Sequence, residues 1–146
     1  MNQQRGFTLV ELVIVIVILG LLAATALPRF INVTKEARAA SLQGVAGGLR
    51  SAVALARAAY VVAGSTGASS VLMDGQSVTV SSGASGGIPV GTSAGIGVAL
   101  PAPDGYTVAY GATTTYTPNN GPGAACQVQY VAGTGAVTVI SDGTNC

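Results

Sequence analysis

A run of 21 residues from Phe7 to Leu27, FTLVELVIVIVILGLLAATAL, constrains the fold of this chain more than any other feature, because only three of its residues are polar. As a helix the run would be about 31 Å long, enough to cross the apolar core of a bilayer. A lone strand could not satisfy its backbone hydrogen bonds in lipid, so a helix is favoured despite the β-branched residues. The sequence therefore predicts a polar, basic leader over residues 1–6 and an apolar helix over residues 7–27.

Residues 28–63 have the spacing of an amphipathic helix. Apolar residues recur at intervals of three or four, which predicts one buried face: Leu42, Val45, Leu49, Val53, Ala56 and Tyr60. A second, solvated face is predicted for residues at heptad spacing: Gln43, Arg50 and Arg57. Gly44 and Gly48 would either admit another backbone closely or only soften the helix.

Two residues predict a break between the helical pieces. Pro28 has no N–H to donate to the carbonyl of Ala24, and Gly20 is a second weak point upstream. We therefore expect a kink or a loosened stretch at these positions.

Residues 64–146 hold 16 of the 21 glycines and are rich in Ser, Thr and Val. Asp74-Gly75 and Gly133-Thr134-Gly135 are turn signals that predict two hairpins. The predicted strands are Val71–Met73, Gln76–Val80, Tyr106–Tyr110, Gln127–Ala132 and Ala136–Ser141, and the predicted loops are Ser81–Ala99 and Gly111–Ala125. The predicted fold class is α+β, with a long N-terminal helix whose second half carries a small antiparallel sheet.

Composition argues against several classes of function. The net charge is +1 and there is no histidine, so neither a basic nucleic-acid footprint nor a Ser/His/Asp or Cys/His catalytic set is predicted. Beyond Arg57 the only charged residues are three aspartates, each followed by glycine as in a turn: Asp74, Asp104 and Asp142. We predict a protein that is not an enzyme and that has no cofactor and no metal site.

Cys126 and Cys146 are the two cysteines. Two cysteines behind an export-type N-terminus predict one disulfide formed in an oxidising compartment. Closing roughly 20 residues would contribute about 3 kcal/mol in the chain-entropy description.

Glu11 places a carboxylate inside the apolar run, at a cost on the order of 2.5–3.5 kcal/mol if it enters a bilayer unpaired. No Lys, Arg or His lies between Phe7 and Pro28. A cut between Gly6 and Phe7 would create an α-amine one helical turn before Glu11. The amine of a neighbouring subunit could pair with Glu11 instead, which would fix the stagger of the two helices because any other register leaves a buried charge alone.

A local explanation of Glu11 is also open. The segment Thr8-Leu9-Val10-Glu11 fits a capping box, in which the two polar side chains satisfy backbone N–H groups at a helix start. A carboxylate in the first turn also interacts favourably with the helix dipole. This alternative needs no partner subunit.

The residues RGFTLVEL from Arg5 to Leu12, followed by VIVIVILGLLAATALP, resemble the class III signal and N-terminal helix of type IV pilins and pseudopilins. The downstream LPRFINVTKEARAASLQGVAGGLRSAV is similar to major pilins of the mannose-sensitive haemagglutinin type. The resemblance implies that a prepilin peptidase cuts after Gly6 and N-methylates Phe7. Glu11 matches the glutamate that the family uses for assembly, while Gly20 and Pro28 match a segment that tends to lose helicity on filament packing.

The resemblance implies a structural subunit of a type IV pilus that serves adhesion, biofilm growth or motility. Such a subunit is held in the inner membrane as a precursor and then forms an extracellular homo-oligomeric helical filament. Its implied partners are the prepilin peptidase, the pilus assembly platform and the assembly ATPases.

Two other functions are compatible with parts of the sequence. A type II secretion pseudopilin has the same N-terminus, although the major pseudopilins typically hold their C-terminal region with calcium rather than a disulfide. An ordinary secreted protein would use Leu12–Leu22 as the apolar region of a signal peptide and would be cut after Ala26. The mass of the mature protein distinguishes the pilin from the ordinary secreted protein, because the pilin loses six residues and gains a methyl group whereas the secreted protein loses 26.

Overall fold

The computed structural model describes residues 7–64, 67–83, 86–142 and 146, and within the long helix it describes only the backbone of residues 27–32. The predicted leader, with Gly6, lies outside the described residues. Contacts divide the chain into two units, Met1–Glu36 and Ala37–Cys146. We call the second unit the head domain. The predicted boundaries at residues 27 and 63 mark changes in composition, and they stay predictions.

Helix α1, Leu9–Val62, is 54 residues long. Its backbone is helical across Gly20 and Pro28, and the kink that we predicted at these positions stays a prediction. Proline removes one backbone donor, but the hydrogen bonds of the neighbouring residues can continue the helix around it. Loss of helicity on filament packing concerns another state of the molecule and stays a prediction.

Two antiparallel sheets follow the helix. The first is a hairpin of β1, Ser70–Met73, and β2, Gln76–Thr79, joined by Asp74-Gly75 as predicted. The second has the order β3-β4-β5-β6, so each strand pairs with its neighbour in sequence. Its strands are Tyr106–Ala109, Thr113–Pro118, Cys126–Val131 and Ala136–Ser141. The predicted α+β layout is confirmed.

The core of the head domain forms between α1 and the sheets. All six residues of the predicted apolar face are buried, at no more than 8% exposure. The residues from Leu42 to Val53 pack against Tyr116, Val128 and Tyr130 of the larger sheet. Ala56 and Tyr60 belong to a second cluster with valines of the hairpin. Arg50, Arg57 and Gln43 are exposed, as predicted.

The prediction that Gly111–Ala125 is a loop was wrong. It contains β4, which pairs with β3 on one edge and β5 on the other, and a short 3-10 helix at Gly123–Ala125. The threonines and tyrosine of β4 suit a strand, but the surrounding Gly, Pro and Asn residues suggested a loop. Pairing along both edges overrides that local signal.

Ser81–Ala99, the other predicted loop, also contains regular structure. It includes the short helix α2, Ile96–Ala99, and an isolated bridge between Val80 and Pro89. The buried hydroxyl of Tyr130 donates to the Pro89 carbonyl, which ties this segment to the larger sheet. Similarly, the Tyr116 hydroxyl donates to the Leu100 carbonyl at 3.1 Å.

Candidate functional site

The N-terminal part of α1 carries exposed apolar side chains around its axis. Every large hydrophobic side chain from Phe7 to Leu22 is exposed, by 43% to 91%. In the head domain, by contrast, the same helix buries a face of apolar side chains. Taken by itself, the N-terminal segment therefore presents a continuous apolar surface, and such surface marks contact with a membrane or another protein.

Two stretches of α1 are long and apolar enough to cross a membrane by length and composition. In Leu9–Ala26 no residue is buried, whereas 39% of Val33–Val62 is buried inside the protein. The second stretch includes the core face of the head domain, which accounts for its apolar character. Leu9–Ala26 is therefore the better candidate for a membrane segment.

Thr8 and Glu11 form a reciprocal capping box at the start of α1. The Thr8 backbone N–H donates to Glu11 Oε2 at 2.9 Å, and the Thr8 hydroxyl donates to the same oxygen at 2.8 Å. In return, the Glu11 backbone N–H donates to Thr8 Oγ1 at 3.2 Å. The local alternative raised by the sequence is thus present, and it satisfies backbone donors that the helix itself leaves free.

The capping box uses only one side of the Glu11 carboxylate. Oε2 accepts both bonds from Thr8, while Oε1 accepts none from the residues that the structure describes. Glu11 is exposed and lies four residues after Phe7, the residue whose amine a cut after Gly6 would free. One oxygen thus remains available for a second donor, so the capping box does not exclude pairing with an amine, which stays a prediction.

The glycines singled out by the sequence lie in different surroundings. A Cβ at Gly20 or at Gly44 would meet nothing within 4 Å among the described residues. A Cβ at Gly48 would lie 3.3 Å from a Leu100 methyl group. Gly48 therefore admits a side chain of its own chain, rather than a second helix backbone.

The predicted disulfide between Cys126 and Cys146 is present, with a Cα–Cα distance of 5.0 Å. Both cysteines are buried in the core cluster on α1. The Arg38 guanidinium donates to the Cys146 carbonyl at 3.4 Å. The bridge thus ties Cys146 to β5, and the hydrogen bond from Arg38 ties it to α1.

One surface feature escaped the sequence analysis. Leu55, Val62 and Leu72 are exposed by 61%, 88% and 73%, and all belong to the head domain. The signal was available for two of them, because Leu55 and Val62 are seven residues apart and lie off the predicted buried face. Leu72 could not be assigned a side of its hairpin without knowing which face packs on α1.

Residues 1–27 match the model of the prokaryotic N-terminal methylation motif. Over 54 residues the chain is 50% identical to the type IV narrow pilus major component PilA5 of Thermus thermophilus, covering 37% of this chain and 47% of that protein. It is 50% identical over 50 residues to the type IV major pilin protein PilE1 of Neisseria gonorrhoeae, covering 34% and 30%. It is 38% identical over 52 residues to the type IV major fimbrial protein FimA of Dichelobacter nodosus, covering 36% and 33%.

These similarities span less than half of each relative. No solved structure matches the chain significantly. The predicted mannose-sensitive haemagglutinin subclass is not confirmed by these relatives. With the helix-then-sheet layout, the N-terminal similarity nevertheless supports the predicted resemblance to type IV pilins.

Proposed function

We propose that this type IV pilin-like chain is the structural subunit of a type IV pilus, used for adhesion, biofilm growth or motility. The observation that carries the proposal is the exposed apolar surface of α1 in a segment that matches the N-terminal methylation motif. Such a helix needs lipid or other apolar helices around it. The inner membrane supplies the first surrounding before assembly, and the filament core supplies the second.

Processing is the first step of the proposed function. A prepilin peptidase cuts between Gly6 and Phe7 and N-methylates the new amine. The cut places a cation at the helix start, four residues before Glu11. While Oε2 of Glu11 keeps its bonds to Thr8, Oε1 is free to accept from the amine of a neighbouring subunit. The pair then sets the stagger between adjacent helices.

Assembly is the second step. Transfer of the helix from lipid to a helical bundle gains little hydrophobic energy, because both surroundings are apolar. The assembly platform and its ATPases supply the work, while the Glu11 pair and close packing supply selectivity. The role is mechanical rather than catalytic.

Intact mass and N-terminal sequencing of protein sheared from cell surfaces test the proposal. We expect a chain that begins at Phe7 and carries one additional methyl group. A surface protein that begins at Met1 or at Leu27 would refute it, the latter in favour of an ordinary signal peptide. Failure to find the chain in surface filaments, together with a defect in protein secretion, would favour a type II secretion pseudopilin.

A further inference from the structure

The head domain carries an exposed apolar groove between the C-terminal end of α1 and the β1–β2 hairpin. Its two adjoining cavities measure about 470 Å³ and 260 Å³. Leu55, Val62 and Leu72, all more than 60% exposed, lie along it. Large apolar side chains grouped in this way mark a surface that a partner covers.

An acidic residue stands at the rim of this groove. Asp74 lines the smaller cavity together with Leu55 and Leu72. Its carboxylate is exposed and makes no hydrogen bond or ion pair with any residue in the described part of the chain. The groove therefore combines apolar walls with one free negative charge.

The opposite flank of α1 carries the complementary charge. Arg50 and Arg57 are exposed. They are seven residues apart, so their directions around the helix axis differ by only about 20° and they form a row along α1. Arg57 makes no hydrogen bond to the described residues, and Arg50 makes one long bond of 3.4 Å to the Val137 carbonyl. Leu55 and Arg57 differ by about 200° around the axis and by about 3 Å along it. The apolar groove and the arginine row thus lie at about the same position along the axis of α1, on opposite flanks of the helix.

We propose that the groove is occupied by a second copy of this chain, which presents its Arg50–Arg57 row to Asp74. The aliphatic stems of the arginines cover Leu55 and Leu72, and a guanidinium reaches the carboxylate at the rim. Because the two patches differ and lie on opposite flanks, the contact is heterologous and can repeat from copy to copy without closing into a dimer. The inference rests on the proposed function and identifies a lateral contact between head domains in the filament.

Removal of the charge at the groove is the first test. Asp74 has a φ of 49°, a conformation that asparagine tolerates well, so Asp74→Asn keeps the turn. We expect the ratio of sheared filament to cell-associated chain to fall by up to about fivefold, the upper range for one exposed ion pair. Asp104→Asn is the matched control, because it removes an exposed aspartate from another Asp-Gly turn. Equal loss, or no loss, in both variants would overturn the inference.

Charge exchange tests the pairing itself. Arg57→Glu and Asp74→Lys should each lower filament yield, and the double variant should recover more filament than either single variant. Cell-associated chain measured in the same cultures separates assembly from folding. A double variant no better than the poorer single variant would contradict the contact.

Zero-length cross-linking identifies the partner residues. Arg57→Lys and Arg50→Lys keep the charge and supply an amine that carbodiimide can couple to a carboxylate. We expect mass spectrometry of treated filaments to find residue 74 of one copy joined to residue 57 or 50 of another, and absence of both products would overturn the inference. Normal filaments without these products reject only the lateral contact, whereas absence of filaments from the unmodified chain rejects the proposed function.

Discussion

The two ends of α1 have the same secondary structure and opposite surroundings. In Leu9–Ala26 no residue is buried, whereas between Leu42 and Tyr60 one face is buried under the sheets. The apolar residues explain the difference: they surround the axis in the first stretch and recur at intervals of three or four in the second. One part of the helix thus packs against its own chain, whereas the other has an exposed apolar surface that the proposed function places in lipid or among other subunits.

Glu11→Ala should give the largest effect and tests that dependence. If Glu11 pairs with a neighbour's amine, its loss leaves that amine buried without a counter-ion, which costs about 3–5 kcal/mol. Filament yield should therefore fall at least about a hundredfold. Membrane insertion and removal of the leader should continue. Quantification of sheared filaments from cells with this variant as sole major subunit measures the effect. Glu36→Ala is the control, since Glu36 is an exposed acid on the same helix, and normal piliation with Glu11→Ala would contradict the pairing.

Matched leucine substitutions in the two parts of α1 test the comparison directly. Leu49 is fully buried and Leu19 is 58% exposed. Leu49→Ala should lower the free energy of unfolding of the head domain by about 2–5 kcal/mol, because it leaves a cavity in the core. Leu19→Ala should leave that value unchanged. Denaturant unfolding of the full chain in detergent distinguishes them, and equal effects would show that the N-terminal segment is packed by its own chain.

Loss of the disulfide should also affect only one part. Cys126→Ser opens a bridge that spans 20 residues, so the head domain should lose about 3 kcal/mol of stability. The helicity of the N-terminal segment in detergent should persist. Thermal melts under oxidising conditions, compared with the reduced unmodified protein, measure the change. An unchanged melting temperature in both samples would show that the bridge contributes nothing.

Alkaline pH should lower the stability of the head domain, by a smaller amount than the substitutions above. Burial, with a lesser contribution from Tyr110, raises the pKa of Tyr116 to about 12, and burial also raises the pKa of Tyr130. The unfolded chain then loses its tyrosine protons before the folded one, so stability is constant below about pH 10 and falls as pH rises through about 12. Melting temperature against pH should show a shallower fall for Tyr116→Phe. Tyr110 is half-exposed and provides the control. Tyr110→Phe should leave most of the decrease in melting temperature with rising pH.

Local signals were sufficient wherever a residue's partner lies nearby in sequence. Asp74-Gly75 predicted its hairpin, and the Thr8 and Glu11 spacing predicted the capping box, because both depend on contacts within a few residues. Strand β4 could not be predicted from its surroundings, since its pairing partners are on both edges of the larger sheet. Pro28 lies within α1, because a helix can continue past one missing donor, and the kink predicted there stays a prediction.

The amino-acid sequence was enough to predict an apolar helix with one carboxylate and a second helical stretch with one buried face. Periodicity and hydropathy suffice for both, because they depend only on residue type and spacing. The open flank of the second stretch could not be predicted in this way: in the folded head domain Leu55 and Leu72 lie beside Asp74, and the arginines lie on the opposite flank of α1. That outcome depends on which side of α1 the hairpin covers, and contacts between distant residues fix it.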